Sequence, residues 1–174
     1  RGCLYQALEG ERAVRGLDPS QLLAVSLPPS ILAQDRALRL VATIERELFT
    51  PFGLRATVSA TGSREHEGDG PPPRDLGTGP GESPALVSAW LGAFHSAYLR
   101  AHGRSSEAQS RVRHWLDPLI VALDAELLGM LPVAFVPDSG LVPPPALGGD
   151  RSILAMAELA RVWVEDMVPA EAAA

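Results

Sequence analysis

Apolar residues recur with the period of an α-helix in five segments of this sequence, and that periodicity restricts the fold more than any other feature. Strict alternation of apolar and polar residues, typical of a half-buried strand, extends over no more than four or five residues, and residues 55–60 are the best short candidate. The sequence therefore predicts an all-α fold. The predicted helices, in chain order, are Pro19–Leu27, Ile31–Phe49, Pro84–His102, Glu107–Leu128 and Arg151–Val168.

Each of the longer predicted helices has one apolar face, which we expect to be buried. Ser106 and Asp150 have the position and chemistry of N-caps, and Gly103 and Gly129 follow the last periodic residues of their helices. Pro118 is expected to kink its helix, because it lacks a backbone donor. The predicted inward residues are Leu38, Val41, Ala42, Leu48 and Phe49 in the second helix, Leu86, Trp90, Ala93, Phe94 and Ala97 in the third, Val112, Leu116, Leu119, Leu123 and Leu127 in the fourth, and Ile153, Met156, Ala157, Ala160, Trp163, Val164 and Met167 in the fifth.

Two long segments interrupt the helical pattern. Residues 61–82 are rich in glycine and proline, and we expect this insertion to be largely disordered. Residues 131–149 contain several prolines, and we expect order at the two ends of this segment. The predicted organisation is one domain over residues 1–168, followed by a short tail at 169–174.

Composition excludes several classes of function. Arginine supplies all 15 basic residues against 21 acidic ones, so the formal net charge is −6 and nucleic acid is a poor partner. No apolar run approaches the roughly 20 residues that span a bilayer, so no membrane association is expected. Cys3 is the single cysteine, which leaves no internal disulfide and favours a reducing cytoplasm.

Five stretches, in a fixed order along the chain, carry a resemblance to one known family. They read GCLYQALEG at 2–10, LDPSQLLAVSLP at 17–28, ERELFTPFGLR at 45–55, WLGAFHSAYLRAHG at 90–103 and AELARVW at 157–163. In that order they resemble segments of the glucosidase domain at the C-terminal end of glycogen debranching enzymes, the amylo-α-1,6-glucosidase family. The family domain is longer than this chain, which resembles its C-terminal half.

This resemblance implies a fold and an activity. The fold is part of an (α/α) toroid, similar to six-hairpin glycosidases, with long loops at one rim that carry the active site. The activity is hydrolysis of α-1,6-linked branch glucose, with a branched α-glucan such as glycogen or limit dextrin as substrate. The N-terminal half of the same barrel is the second expected partner, and neither a cofactor nor a metal is expected.

The resemblance also implies where site residues lie. The family's Arg-Pro-Asn-Gln stretch falls on residues 18–21, so Asp18, Ser20 and Gln21 are the candidate substrate-binding residues, of which only Gln21 is retained. Where the family carries a carboxylate, this chain has Val133, which has no ionisable group. Asp138 is the nearest acidic side chain and the candidate catalytic residue. The alternative for Asp138 is a structural aspartate in an Asp-Ser-Gly turn.

Several other residues have two interpretations. The EHEGD stretch at 65–69 has metal-ligand chemistry, yet its Gly/Pro-rich surroundings favour a solvated loop. Trp90, Trp115 and Trp163 are able to stack on sugar rings, although their apolar neighbours favour core packing. A half-barrel would leave inner faces without neighbours, so we expect an exposed patch around Leu86, Trp90 and Phe94. The isolated chain is then expected to self-associate or to need its upstream half.

Two hypotheses from different classes follow for the whole chain. It is either part of an amylo-α-1,6-glucosidase-type hydrolase, or a catalytically inactive helical remnant that binds glucan or another subunit. The identity of residues 132–138 favours the second hypothesis for this polypeptide alone, because hydrolysis of a glycoside requires two carboxyl groups.

Overall fold

Helices account for most of the secondary structure in the computed structural model, which describes residues 4–9, 12–55, 85–125, 129–137, 139–147 and 151–167. A 3-10 turn at Pro19–Leu22 leads into α1, and α5 continues as a π-helical turn at Trp163–Met167. The helices are α1 Leu23–Ser26, α2 Gln34–Glu47, α3 Trp90–Ala101, α4 Ser106–Ala125 and α5 Ile153–Val162; the strands are β1 Tyr5–Glu9, β2 Arg12–Arg15, β3 Phe49–Thr50, β4 Gly53–Arg55, β5 Leu86–Val87 and β6 Ala134–Phe135.

The mostly helical character predicted from periodicity is confirmed, but the chain also forms two small sheets. β1 and β2 pair as an antiparallel hairpin. The other sheet has the antiparallel order β3-β4-β5-β6, in which Leu54 pairs with Val87 and Leu86 pairs with Phe135. These strands are two or three residues long, too short to show a period-2 pattern. Residues 56–60 and the insertion at 61–82 lie outside the described residues.

The central element is α3, which is buried on every side. All its residues from Leu91 to Leu99 are buried, and α1, α2, α4 and α5 pack against it. Between Leu91 and Leu99 its residues are apolar apart from His95, Ser96 and the Tyr98 hydroxyl, as expected for a helix inside a core. The predicted exposed patch around Leu86, Trp90 and Phe94 is therefore wrong: Leu86 and Phe94 are buried, and Trp90 packs against the core.

Helix boundaries differ from the predicted ones where backbone groups find other partners. α2 begins at Gln34, because Ala33 is extended and acts as its N-cap. α3 begins at Trp90, because Leu86 and Val87 pair as β5. Ser105, which precedes the predicted cap Ser106, accepts a hydrogen bond on its Oγ from the Ala108 N–H and starts α4. The N-cap of α5 is Ser152, while Asp150 lies outside the described residues.

Helix ends behave largely as predicted. Gly103 and Gly129 have positive φ angles of 66° and 74°, which glycine adopts without steric cost. Pro118 lies inside α4. The predicted stripe of α4 is confirmed for Val112, Leu116, Leu119 and the partly buried Leu123. Leu127, the last residue of that stripe, lies outside the described residues.

The buried faces of α2 and α5 are rotated from the predicted ones. In α2 the core residues are Ala37, Leu40, Val41 and Ile44, whereas Leu38 is partly exposed and Ala42 is exposed. Leu48 is buried, and Phe49 leaves the helix as the start of β3. In α5 the residues expected inside point outward, except for Met167 and the half-buried Met156. The exposed ones are Ile153, Ala157, Ala160, Trp163 and Val164, while Ala155 and Val162 are buried.

A close approach of two helices sets the rotation of α5. Gly92 of α3 lies so near Glu158 that a Cβ atom at position 92 would sit 2.5 Å from the Glu158 Cβ and 2.8 Å from its carbonyl carbon. Only the absence of a side chain at Gly92 permits this contact. Because α5 has apolar residues all round, periodicity does not determine which face is buried.

We predict that Gly92→Ala destabilises the chain. Helix propensity alone favours alanine by about 1 kcal/mol, but the clash with the Glu158 backbone forces the two helices apart at a cost of about 1–3 kcal/mol. Urea denaturation monitored by circular dichroism measures the change. The control is Ala42→Ser on the exposed face of α2, which should alter stability little. A Gly92→Ala variant more stable than wild type would contradict the close approach.

Candidate functional site

Two of the expected substrate-binding residues, Gln21 and Asp18, form hydrogen bonds from their side chains to backbone groups of the chain. Gln21 is buried, and its Nε2 donates hydrogen bonds to the Gly16 carbonyl at 2.7 Å and the Leu4 carbonyl at 3.3 Å. Its Oε1 accepts from the Leu4 N–H at 3.1 Å. The Gln21 amide therefore joins the N-terminal segment to the 3-10 turn, and both of its N–H groups are engaged within the chain.

Asp18 caps the same 3-10 turn. Its Oδ1 accepts a hydrogen bond of 2.8 Å from the Ser20 N–H, and Pro19 between them occupies the first position of the turn. Ser20 itself is exposed. Of the three candidate residues, Ser20 is thus the most exposed.

The loop where the family places a carboxylate is held by Ser88. The Ser88 Oγ donates to the Pro132 carbonyl at 2.6 Å, and the Ser88 N–H donates to the Val133 carbonyl at 3.2 Å. Val133 is half-buried and immediately precedes β6, so its carbonyl bonds to Ser88 beside the sheet. Asp138, the candidate catalytic residue, lies outside the described residues. Among the described residues, no hydrogen bond or strand pairing joins this loop to the turn at residues 18–21.

Metal chemistry finds no support in the part of the chain that the structure describes. No group of three or more His, Cys, Asp or Glu side chains there has the arrangement to hold a metal ion. The EHEGD stretch at 65–69 lies outside those residues. No helix among the described residues has the length and apolar character that crossing a bilayer requires.

The tryptophans divide between the core and the surface. Trp115 packs at 4.9 Å from the Phe49 ring and 4.8 Å from the Tyr98 ring, and the Arg111 guanidinium lies 5.1 Å above it. Trp90 also packs against the core. Trp163, in contrast, is 47% exposed at the end of α5.

Sequence patterns did not reveal a buried ionic cluster around Asp166. The Asp166 Oδ1 accepts hydrogen bonds from Arg104 Nη2 at 2.6 Å and Nε at 3.0 Å, and its Oδ2 accepts from the Ser96 Oγ at 2.7 Å. Arg100 lies 3.4 Å from the same carboxylate. The cluster ties the π-helical turn after α5 to the end of α3. Two arginines four residues apart at the end of a helix were the only signal in the sequence.

His95 is buried in an aromatic cluster with neither ring nitrogen hydrogen-bonded. Phe94 lies 5.7 Å away, Phe49 6.1 Å and Trp115 6.2 Å, between ring centroids. Burial lowers the pKa of His95 to about 3, because no partner compensates the charged form for lost water. The ring is therefore neutral at pH 7, and its surroundings offer no base or acid for proton transfer.

A comparison with known protein families matches residues 3–143 to the family described as amylo-alpha-1,6-glucosidase. The chain belongs to this family. The match covers α1 to α4 and all six strands, and it ends before α5. The comparisons with curated proteins and with solved structures gave no match.

In this member of the amylo-α-1,6-glucosidase family, groups at the expected site positions form hydrogen bonds within the chain. Gln21 and Asp18 bond to backbone groups, and the Val133 carbonyl bonds to Ser88. The described parts of these two regions contain no pair of carboxyl groups placed for glycoside hydrolysis.

We predict that the chain loses stability in mild acid through His95. The pKa of His95 is about 3 when folded and about 6.5 when unfolded. The unfolded chain therefore binds the proton first, and stability that is complete above about pH 6.5 falls by up to about 1.4 kcal/mol per pH unit below it. Urea unfolding between pH 7 and pH 5 measures this slope.

The matched variants separate His95 from other titrating groups. His95→Leu should flatten the slope, because the buried group no longer titrates, while His114→Gln on the exposed surface of α4 should keep it. Parallel wild-type and His95→Leu curves would show that His95 is not buried as a neutral ring.

We predict that Asp166→Ala destabilises the chain by about 3 kcal/mol, because the buried carboxylate accepts hydrogen bonds from Arg104 and from the Ser96 hydroxyl, and its removal takes a negative charge away from Arg104 and Arg100. The control is Asp117→Ala, whose side chain is largely exposed and whose loss should change stability by less than about 0.5 kcal/mol. Thermal melts of the three proteins provide the measurement. Equal melting temperatures for wild type and Asp166→Ala would contradict the cluster's role.

Proposed function

We propose that this chain serves amylo-α-1,6-glucosidase-type debranching, the hydrolysis of α-1,6-linked branch glucose in a branched α-glucan such as glycogen or limit dextrin. The family match over residues 3–143 carries the proposal. The surroundings of α3 support it, because a buried helix with others packed around it is compatible with part of an (α/α) toroid. The acidic chain and its single cysteine fit a cytoplasmic reaction.

Hydrolysis of a glycosidic bond requires one carboxyl group that protonates the leaving oxygen and a second that activates water or attacks the sugar. Val133 supplies neither function, since it has no group that gains or loses a proton. We assign the remaining candidate role to Asp138 and the companion carboxylate to the N-terminal half of the same barrel, the proposed partner. In this proposal the chain alone binds the glucan or forms part of the surface around it, and it does not hydrolyse the glucan.

A second candidate function is a non-catalytic scaffold that binds glucan or another subunit. Hydrogen bonds at the expected site positions support this candidate. Both N–H groups of Gln21 donate to backbone carbonyls, and the Val133 carbonyl accepts from Ser88. Ser20 is the exposed polar residue of that region and the first to test for glucan contact.

We predict that the purified chain releases no glucose from a branched α-1,6 limit dextrin. Loss of one acid or base alone removes a factor of about 10² to 10⁴ in rate; Val133 stands where the family places one carboxylate, and the proposal assigns the companion carboxylate to the N-terminal half of the barrel. A coupled glucose assay measures the rate, with Asp138→Asn as the second protein and a complete debranching enzyme as positive control. Release by the wild-type chain that Asp138→Asn abolishes would make Asp138 the working carboxylate.

The scaffold candidate gives a different result in a binding measurement. Retardation of the chain in a gel containing glycogen reports binding without catalysis. Retardation together with catalytic silence, weakened in Ser20→Trp but not in the control Ala42→Ser, supports a glucan-binding scaffold. Migration that glycogen does not change would show that this chain alone does not bind glucan.

A further inference from the structure

Arg104 has an unusual backbone conformation in the turn between α3 and α4. Its φ angle is 54°, in the left-handed region, and among the residues that the structure describes every other positive φ belongs to a glycine. A residue with a Cβ atom is strained there, because the Cβ comes too close to the following carbonyl oxygen. Such a conformation persists only where other contacts hold the residue in place.

The hydrogen bonds that end α3 do not account for this strain. The Gly103 N–H donates to the Arg100 carbonyl at 3.2 Å, and the next N–H donates to the Leu99 carbonyl at 2.7 Å. This is the Schellman pattern of a helix end, and it requires a left-handed residue only at Gly103. The left-handed conformation of Arg104 therefore needs another cause.

The side chain of Arg104 supplies that cause. Its Nη2 and Nε both donate to the Asp166 Oδ1, at 2.6 Å and 3.0 Å. The Asp166 side chain is fully buried, whereas the Arg104 side chain is 48% exposed, so the guanidinium has to reach inward from the turn to meet the carboxylate. Charge-assisted hydrogen bonds of this kind are strong enough to offset the strain of one left-handed residue.

The partner carboxylate lies in a short segment with few contacts to the core. α5 continues as the π-helical turn Trp163–Met167, in which only Asp166 and Met167 are buried. Glu165 pairs with Arg161 at 3.0 Å on the surface, where such pairs add little stability. The attachment of this turn to α3 thus rests mainly on its last two residues.

The part of α5 that precedes the turn is held independently. Ser152 caps its first residues through the Ala155 N–H, and Val162 is buried. Gly92 of α3 allows the close contact with Glu158 in the middle of the helix. Release of the π-helical turn therefore leaves the packing of α5 on α3 intact, and a segment with few buried contacts opens more readily than the core.

We propose that the Arg104–Asp166 pair is a strained latch for the π-helical turn at 163–167. In the closed state the pair holds residue 104 in the left-handed conformation. When the turn leaves α3, the backbone of Arg104 relaxes to a negative φ, and this relief lowers the free-energy cost of opening. The turn then opens and closes while the rest of the chain stays folded, and this behaviour does not depend on the proposed function.

Urea denaturation of wild type, Asp166→Ala, Arg104→Gly and the double variant tests the strain. Arg104→Gly alone should lower the urea midpoint, because the ion pair is lost. In the Asp166→Ala background the same change should not raise the midpoint, because residue 104 has already relaxed. If the turn between α3 and α4 imposed the left-handed conformation by itself, glycine would stabilise the double variant relative to Asp166→Ala by roughly fivefold in the unfolding equilibrium. That stabilisation would overturn the latch.

Backbone chemical shifts from NMR report the conformation of residue 104 directly. They should indicate a left-handed residue in wild type and in the surface control Asp117→Ala, and a negative φ in Asp166→Ala. A residue 104 that stays left-handed in Asp166→Ala would show that the ion pair does not hold it.

Hydrogen exchange followed by mass spectrometry tests local release. In wild type the amides of residues 163–167 should exchange through an opening that dilute urea does not accelerate, whereas the amides of α3 should exchange only with global unfolding. In Asp166→Ala the protection of the turn should be lost while α3 stays protected. Arg104→Gly, which leaves Asp166 beside Arg100, repeats the measurement in case Asp166→Ala does not fold. Exchange of the turn only together with α3 would overturn the local opening.

Discussion

Burial of α3 on every side is the condition on which the other elements depend. A mostly apolar helix is stable only when neighbours remove it from water, and here α1, α2, α4 and α5 supply those neighbours. Gly92 adds a steric condition, because its missing side chain lets α5 approach closely and fixes which face of α5 turns inward. With this side of α5 against α3, Ile153, Ala157 and Ala160 face outward.

Two polar side chains on α3 interact with the core in opposite ways. Ser96 binds the Asp166 carboxylate, which two arginines also approach, so this buried charge is fully paired. His95 has no hydrogen-bond partner and is buried as a neutral ring among aromatic side chains. The first arrangement fixes the end of α5 on α3, while the second makes stability depend on pH, because only the unfolded chain readily accepts the proton.

Family membership rests on the scaffold of this chain, and the expected site positions that the structure describes are used within that scaffold. The family match spans the elements that surround α3, and the core residues of those elements are buried as a working scaffold requires. At the positions where the family resemblance implied substrate contacts, side chains satisfy the backbone instead, as with Gln21 and the Leu4 and Gly16 carbonyls. A polar group used in this way contributes to folding whether or not a glucan is bound.

Sequence alone determined that helices dominate, which segments form them and which family the chain belongs to, because apolar periodicity and ordered motifs are local properties. It also located the stripe of α4 and the glycines that end α3 and α4. It did not reveal the two- and three-residue strands, the role of Ser152 as a cap or the pairing of Asp166 with Arg104, because these depend on residues far apart in the chain. The buried face of α5 was decided only by tertiary packing: apolar residues surround that helix, and the close contact between Gly92 and Glu158 selects one side.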